Sequence, residues 1–357
     1  MRPKRCVFLP TPCDPFVFLL WWDNWKTWRD EVDALYIFFN GDVEAPVVEV
    51  IRQISSKDEK VTSLYVDHMV QHGNALAYLT KMCNEELIMF IEDDGYILKK
   101  EAVRACFDSI ENEEFDAMGS PRTSSSMDLQ RYVSKKYNVD ISGVGDKGVG
   151  YWPNFFFARK ADLLKTDMDF NSKHWKDGEY IPEIDWTVEA ENKIDVRSDT
   201  FVWGSIQLRA LGLKIKDIPQ YHVNPYWESD YREKAGLFSP EATWFHSGSL
   251  SGSIYGCLTD STGNAIAFRS LGRQDREDDW KLPNYVNTEA ERKEFERRCV
   301  FYLMGLSRYK GVVPEDFTIE YEKGVERMID QYQLERKAIH RGIEVFGSIL
   351  PLCSQTL

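Results

Sequence analysis

The chain has 357 residues, 43% of them hydrophobic and 13% aromatic, enough to bury a large core in one large domain or two moderate ones. Its formal charge of −14 disfavours a protein that coats nucleic acid through bulk electrostatics. What remains is local basic concentrations such as Arg122, Arg131, Lys135 and Lys136, or Arg159, Lys160 and Lys165. Seven cysteines, odd in number and never spaced as CxxC, argue against a disulfide framework or a zinc knuckle and for reduced thiols.

No run reaches the apolar length of a membrane span, and the start leads into a strand-like segment instead of a signal-peptide core, so a cytoplasmic protein is expected. The first strand is Cys6-Val7-Phe8-Leu9, followed by the loop Pro10-Thr11-Pro12-Cys13-Asp14. A helix-like aromatic segment then runs from Pro15 to about Asp30, with Pro15 suited to a first turn and Asp14 to its cap. Ala34 to Phe39 reads as the second strand, and Ala45 to Ser55 as an amphipathic helix with Val47, Val48, Ile51 and Ile54 on one face. Val61 to Val66 is the third strand, Asn74 to Asn84 the third helix, and Leu87 to Ile91 the fourth strand. That strand ends in three carboxylates and a glycine, Glu92-Asp93-Asp94-Gly95.

Alternation of this kind predicts a parallel sheet with helices on both faces and ligands beyond the carboxyl ends of the strands. Asp14, Asp42, Asp67 and Asp94 all fall at those ends. Adjacent like charges resist desolvation, so a divalent metal is the simplest partner for the cluster on the fourth strand.

Further on, Glu101 to Ile110 reads as a helix and Asp116 to Gly119 as a strand, followed by a polar loop, Ser120 to Ser126, expected over the cleft. Gly143, Gly145, Gly148 and Gly150 punctuate a loop before the strand Asn154 to Arg159. No strand precedes these glycines and no helix follows, so they form no dinucleotide fingerprint. Thr200 to Leu211 reads as a helix with Asp199 as N-cap and Gly212 as its stop, and Ile215 to Tyr221 as a strand. From Asp275 the sequence turns charged and helix-favouring, including Thr288 to Leu306 and Tyr321 to Val345.

Glu92-Asp93-Asp94 resembles the DXD-type metal motif of GT-A fold nucleotide-sugar glycosyltransferases. The stretch Ser198 to Gly212, with Asp199 at its start and Arg209-Ala210-Leu211-Gly212 at its end, is similar to the acidic-residue helix of many of these enzymes. The resemblance spans about residues 5 to 256. It implies an α/β, Rossmann-type, mostly parallel sheet: a catalytic domain over about 1–274, with a nucleotide-sugar half to about 99 and an acceptor half from about 100. A helical C-terminal region over 275–357 would pack on the sheet or mediate an oligomer contact.

The same resemblance implies Mn²⁺ or Mg²⁺ and a nucleoside diphosphate sugar, with UDP-sugar the expected donor. Asp94 is the first-choice ligand; Glu92 is a second, directly or through water, or a contact to the sugar nucleotide; Asp93 is also a candidate on the donor side, although strand alternation would point it the opposite way. His246 or His222 would complete the site, and small residues after His246 would offer backbone amides to a phosphate. An inverting reaction needs a carboxylate base, for which Asp199 or Asp185 is a candidate. Pro10, Thr11, Asp42, Asp67 and Asn74, the last within His72-Gly73-Asn74, are candidates for the nucleoside.

The Ser120-Pro121-Arg122, Gln207-Leu208-Arg209 and Phe245-to-Ser249 segments look similar to phage glycosyltransferases of the TET-associated type, which modify 5-hydroxymethylpyrimidines in DNA. That would make hydroxymethylated DNA the acceptor and the host cytoplasm the location. A surface glycan or lipid-linked acceptor is the alternative. A nucleotidyltransferase shares the layout, but its usual Gly-rich basic segment is missing from Pro10–Asp14; a non-catalytic module using the acids structurally is the third possibility.

Overall fold

The computed structural model describes residues 2–11, 14–40, 46–66, 70–122, 125–141, 148–191, 195–219, 242–247 and 289–350. Its first half is β1 (Arg5–Thr11), α1 (Pro15–Trp28), β2 (Ala34–Asn40), α2 (Pro46–Ser55), β3 (Val61–Val66), α3 (His72–Met82) and β4 (Leu87–Phe90). Then come β5 (Gly95–Ile97), α4 (Lys100–Glu111), β6 (Ala117–Gly119), β7 (Pro121–Arg122), α5 (Met127–Tyr137), β8 (Gly150–Tyr151) and β9 (Phe156–Arg159). The order continues with α6 (Lys160–Leu163), β10 (Lys173–Trp175), β11 (Tyr180–Ile181), β12 (Trp186–Thr187), β13 (Val196–Ser198), α7 (Val202–Ala210), β14 (Ile215–Asp217) and β15 (Trp244–His246). Three helices follow: α8 (Glu289–Tyr309), α9 (Glu315–Gln331) and α10 (Arg336–Ile349).

Seven strands form the central sheet in the order β14-β6-β9-β4-β1-β2-β3. All neighbours are parallel except β9, which runs antiparallel between β4 and β6. The expected mixed α/β architecture with a mostly parallel sheet is therefore present, while the antiparallel β9 was not foreseen.

Alternation along the strands divides the core in two. Val7, Leu9, Leu35, Ile37, Phe39, Met89 and Ile91 face one side, where α1 contributes Trp21, Trp25 and Trp28. Cys6, Phe8, Tyr36, Phe38, Ile88 and Phe90 face the other, against Leu76 and Leu79 of α3 and Phe201 and Leu208 around α7. Asp14 caps α1 as expected, accepting from Phe16 N and Val17 N, both at 3.1 Å.

Helices α8, α9 and α10 join the first of these cores instead of resting on its surface. Phe301 stacks on Tyr96, Phe346 on Phe245, and Tyr321 edge-on to Phe16. The Tyr321 hydroxyl reaches back to both oxygens of Asp14 at 3.1 and 3.2 Å. The helix-favouring stretch Tyr321 to Val345 is shared between two helices, broken after α9, where Gln333 takes a left-handed φ of 50°.

Glu296 on α8 is buried, and its Oε1 has no hydrogen-bond partner among the described residues. Burial, then the nearby Glu335 carboxylate, pushes it up to about 7. Because the folded state holds this proton more tightly than the unfolded chain, stability is expected to fall as pH rises from about 4.5 to about 7. Glu296→Gln should therefore match the parent near pH 5 and exceed it at pH 8 by on the order of 2 kcal/mol, measured by denaturant melts at both pH values. Equal melts at pH 8 would refute the assignment.

Candidate functional site

The carboxylates leave β4 at the end of an all-apolar strand, and the chain turns straight into β5. That short strand pairs antiparallel with β15, placing His246 opposite Gly95. Ser247 then donates its N–H (2.8 Å) and its hydroxyl (3.0 Å) to the main-chain carbonyl of Asp94. The result places His246 Nε2 3.1 Å from Asp94 Oδ2 and 3.9 Å from Glu92 Oε2. Ligand atoms of Glu92, Asp94 and His246 all lie within 4.8 Å of one another, with Asp94 and His246 buried and Glu92 partly open. Two carboxylate oxygens and one imidazole nitrogen form a donor set suited to a hard or borderline divalent cation, so the residues fit the expected metal.

Asn154 was missed by sequence reasoning. Its Nδ2 donates to Glu92 Oε2 at 3.2 Å and lies 3.5 Å from Asp94 Oδ1, while its Oδ1 accepts from Glu92 N at 3.3 Å. One amide thus orients both acids. Gly95 makes room for it, since a Cβ there would sit 2.3 Å from Asn154 Oδ1. Phe155 next door holds a left-handed φ of 57°, kept in place by stacking on Trp244 at 4.9 Å. A lone amide between Pro153 and three phenylalanines was the available signal.

Asp93 lies in the turn between β4 and β5 and bonds toward β1. It is buried and accepts from the Thr11 hydroxyl at 2.8 Å. Burial first, then the charges of Asp94 and Asp14, push it up to about 8, against the lowering pull of Thr11. Thr11, expected near the nucleoside, has its hydroxyl taken by Asp93, and Pro10 is buried within β1.

Asp199 is half-buried. Its Oδ2 accepts from Trp152 Nε1 at 3.1 Å, and the Trp152 ring stands edge-on to the His246 ring at 5.1 Å. Trp152 thus connects Asp199 to the trio. Asp199 is not the cap of α7: the N-cap residue is Phe201, at a left-handed φ of 63°, and among the described residues Asp199 Oδ1 takes Thr200 N at 2.8 Å. Asp199 is accordingly not committed to a helix terminus.

His72, at the first turn of α3, sets its Nδ1 3.6 Å from Glu92 Oε1, and its Nε2 is buried with no hydrogen-bond partner among the described residues. Burial pushes its pKa down, to about 4, against the raising charges of Asp199 and Asp94. The 30% of its side chain that stays exposed softens that drop, and the ring is neutral at pH 7 either way.

Other expected residues lie elsewhere. Asn74 is exposed within α3 and accepts from Asn171 Nδ2 at 2.6 Å. Asp185 is 77% exposed in a turn, held by the Tyr180 hydroxyl at 2.9 Å and 3.6 Å from Lys136 Nζ, while Trp186 is stacked on Tyr132. The Ser247 amide, expected to face a phosphate, is used by Asp94. Asp42, Asp67 and His222 lie outside the described residues.

No protein-family model matches the sequence, and no curated protein matches it. Among solved structures, the mannosyltransferase PcManGT from Pyrobaculum calidifontis, in complex with GDP-Man and Mn²⁺, is 8% identical, covers 99% of this chain and 77% of its own, and gives a TM-score of 0.42. TarS residues 1–349 from S. aureus, in complex with UDP-GlcNAc, is 13% identical over 97% of this chain and 92% of its own, with a TM-score of 0.35. Glucosyl-3-phosphoglycerate synthase from Mycobacterium tuberculosis, in complex with phosphoglyceric acid, is 17% identical over 46% of this chain and 59% of its own, with a TM-score of 0.32. At these identities and scores the likenesses assign this chain to no family.

Proposed function

We propose that the protein is a metal-dependent glycosyltransferase that moves a sugar from a nucleoside diphosphate sugar, with UDP-sugar the first candidate, to a hydroxyl acceptor. The observation that carries this is the convergence of Glu92, Asp94 and His246 at the carboxyl end of β4, where open parallel sheets bind ligands. These three residues would hold Mn²⁺ or Mg²⁺, which supplies charge stabilisation to a departing diphosphate. Asn154 keeps both carboxylates aimed together. Asp199, on the far side of Trp152, is the base proposed to take the acceptor proton.

For the acceptor, 5-hydroxymethylcytosine in DNA is the specific proposal, which would place a phage-encoded enzyme in its host's cytoplasm. Cationic side chains on α5 support it only in part. Arg131 is ion-paired with Glu191, and Lys136 lies 3.6 Å from Asp185, leaving exposed Lys135 as the α5 cation without an ion pair among the described residues. The test is hydrolysis of UDP- and GDP-sugars with Mn²⁺ and with chelator, followed by transfer to hydroxymethylated and unmodified duplexes. No metal-dependent turnover with any donor would sink the glycosyltransferase assignment; turnover without transfer to DNA would remove only the acceptor.

A further inference from the structure

At the opposite end of the sheet a second cluster of donors is buried. Cys6 opens β1, Cys83 follows α3, and Glu85 precedes β4; their ligand atoms all lie within 4.8 Å of one another, and each residue is at most 8% exposed. Five residues of extended chain separate Cys6 from Thr11, so this cluster lies about 17 Å from the carboxylate end. From the geometry we infer that Cys6 Sγ, Cys83 Sγ and Glu85 form a binding site for a borderline-soft divalent cation of the zinc type, separate from the Glu92–Asp94–His246 centre.

Three observations support the site. First, the size is right: ligands about 2.3 Å from a tetrahedral zinc stand about 3.8 Å apart, inside the observed spread. Second, the carboxylate is pre-aimed. Among the described residues, the hydrogen bonds to the Glu85 carboxylate both go to Oε2, from the Tyr36 hydroxyl at 2.9 Å and Asn84 N at 3.2 Å, leaving Oε1 for a cation. Third, the charges balance. Lys160 donates its ammonium to the Cys83 carbonyl beside the cluster. Two thiolates, one carboxylate, a dication and this lysine sum to zero, the condition a buried ionic cluster must approach.

Binding replaces the two thiol protons, which leave to solvent as two metal–sulfur bonds form; no oxidant takes part. The bound ion would tie β1 to the connection between α3 and β4.

Cobalt(II) titration of the full chain, reduced and stripped with chelator, tests this. A thiolate-to-cobalt charge-transfer band in the near ultraviolet is expected at one equivalent and is expected to be bleached by zinc. Cys6→Ser and Cys83→Ser should each abolish it, whereas Asp94→Asn should keep it, because the carboxylate centre contains no sulfur. Cobalt bound without the band, or a band surviving Cys83→Ser, overturns the site. Should the serine variants not fold, cadmium NMR of the unaltered chain decides: a resonance in the two-thiolate range supports the site, and only oxygen and nitrogen environments overturn it. Recovery of a Cys6–Cys83 disulfide from the native protein also overturns it. Failure of the glycosyltransferase assignment would appear separately, as absent sugar-nucleotide turnover with the cobalt band intact.

Discussion

Asp94→Ala is expected to lower metal-dependent turnover by at least about a thousandfold, about 4 kcal/mol of transition-state stabilisation, while leaving the fold in place. The fold should survive because the main-chain carbonyl of residue 94, not its carboxylate, receives the two hydrogen bonds from Ser247. Losing the carboxylate also removes one of the charges that raise Asp93. The measurement is steady-state hydrolysis of a UDP-sugar against Mn²⁺ concentration, with a thermal melt of each protein. Parent-level activity would show that Asp94 does not serve the metal, and a melt collapsing together with activity would mark the carboxylate as structural.

The second large effect is expected at Asp199. Asp199→Asn should cut sugar transfer by about a hundredfold to ten-thousandfold, the usual range for a positioned general base, with donor affinity nearly unchanged. The variant keeps the shape but loses the negative charge, and its amide cannot accept from Thr200 N while also accepting from Trp152 Nε1. Unchanged transfer by Asp199→Asn would exclude it as base and favour a reaction that retains the anomeric configuration.

Much of the frame was legible because its signals are local. Apolar runs ended by acids and glycines mark β1, β2, β3 and β4, and Asp14 before Pro15 marks the start of α1, all decided within a few neighbours. What the sequence hid depends on partners far along the chain. Asn154 acts only because β9 runs antiparallel beside β4, which no propensity encodes. His246 is a candidate from its own neighbours, but the β5–β15 pairing is what sets it beside Asp94. Asp199 looked like a helix cap because an acid before a helical run usually is one, yet the left-handed turn at Phe201 shifts the helix start two residues onward. The thiol cluster escaped notice for a similar reason: Cys6 and Cys83 become neighbours only through the pairing of β1 with β4.

The bond from Tyr321 to Asp14 ties the last quarter of the chain to the electrostatics of its first strand ends. During synthesis the three carboxylates leave the ribosome roughly 150 residues before His246 and still longer before Tyr321. For that interval the nascent protein carries an acidic strand end with neither its imidazole nor its rear support. The imidazole would arrive first, with β15, and the support at Asp14 only later, when α9 docks. A chain stalled before His246 would lack one of the three proposed ligands.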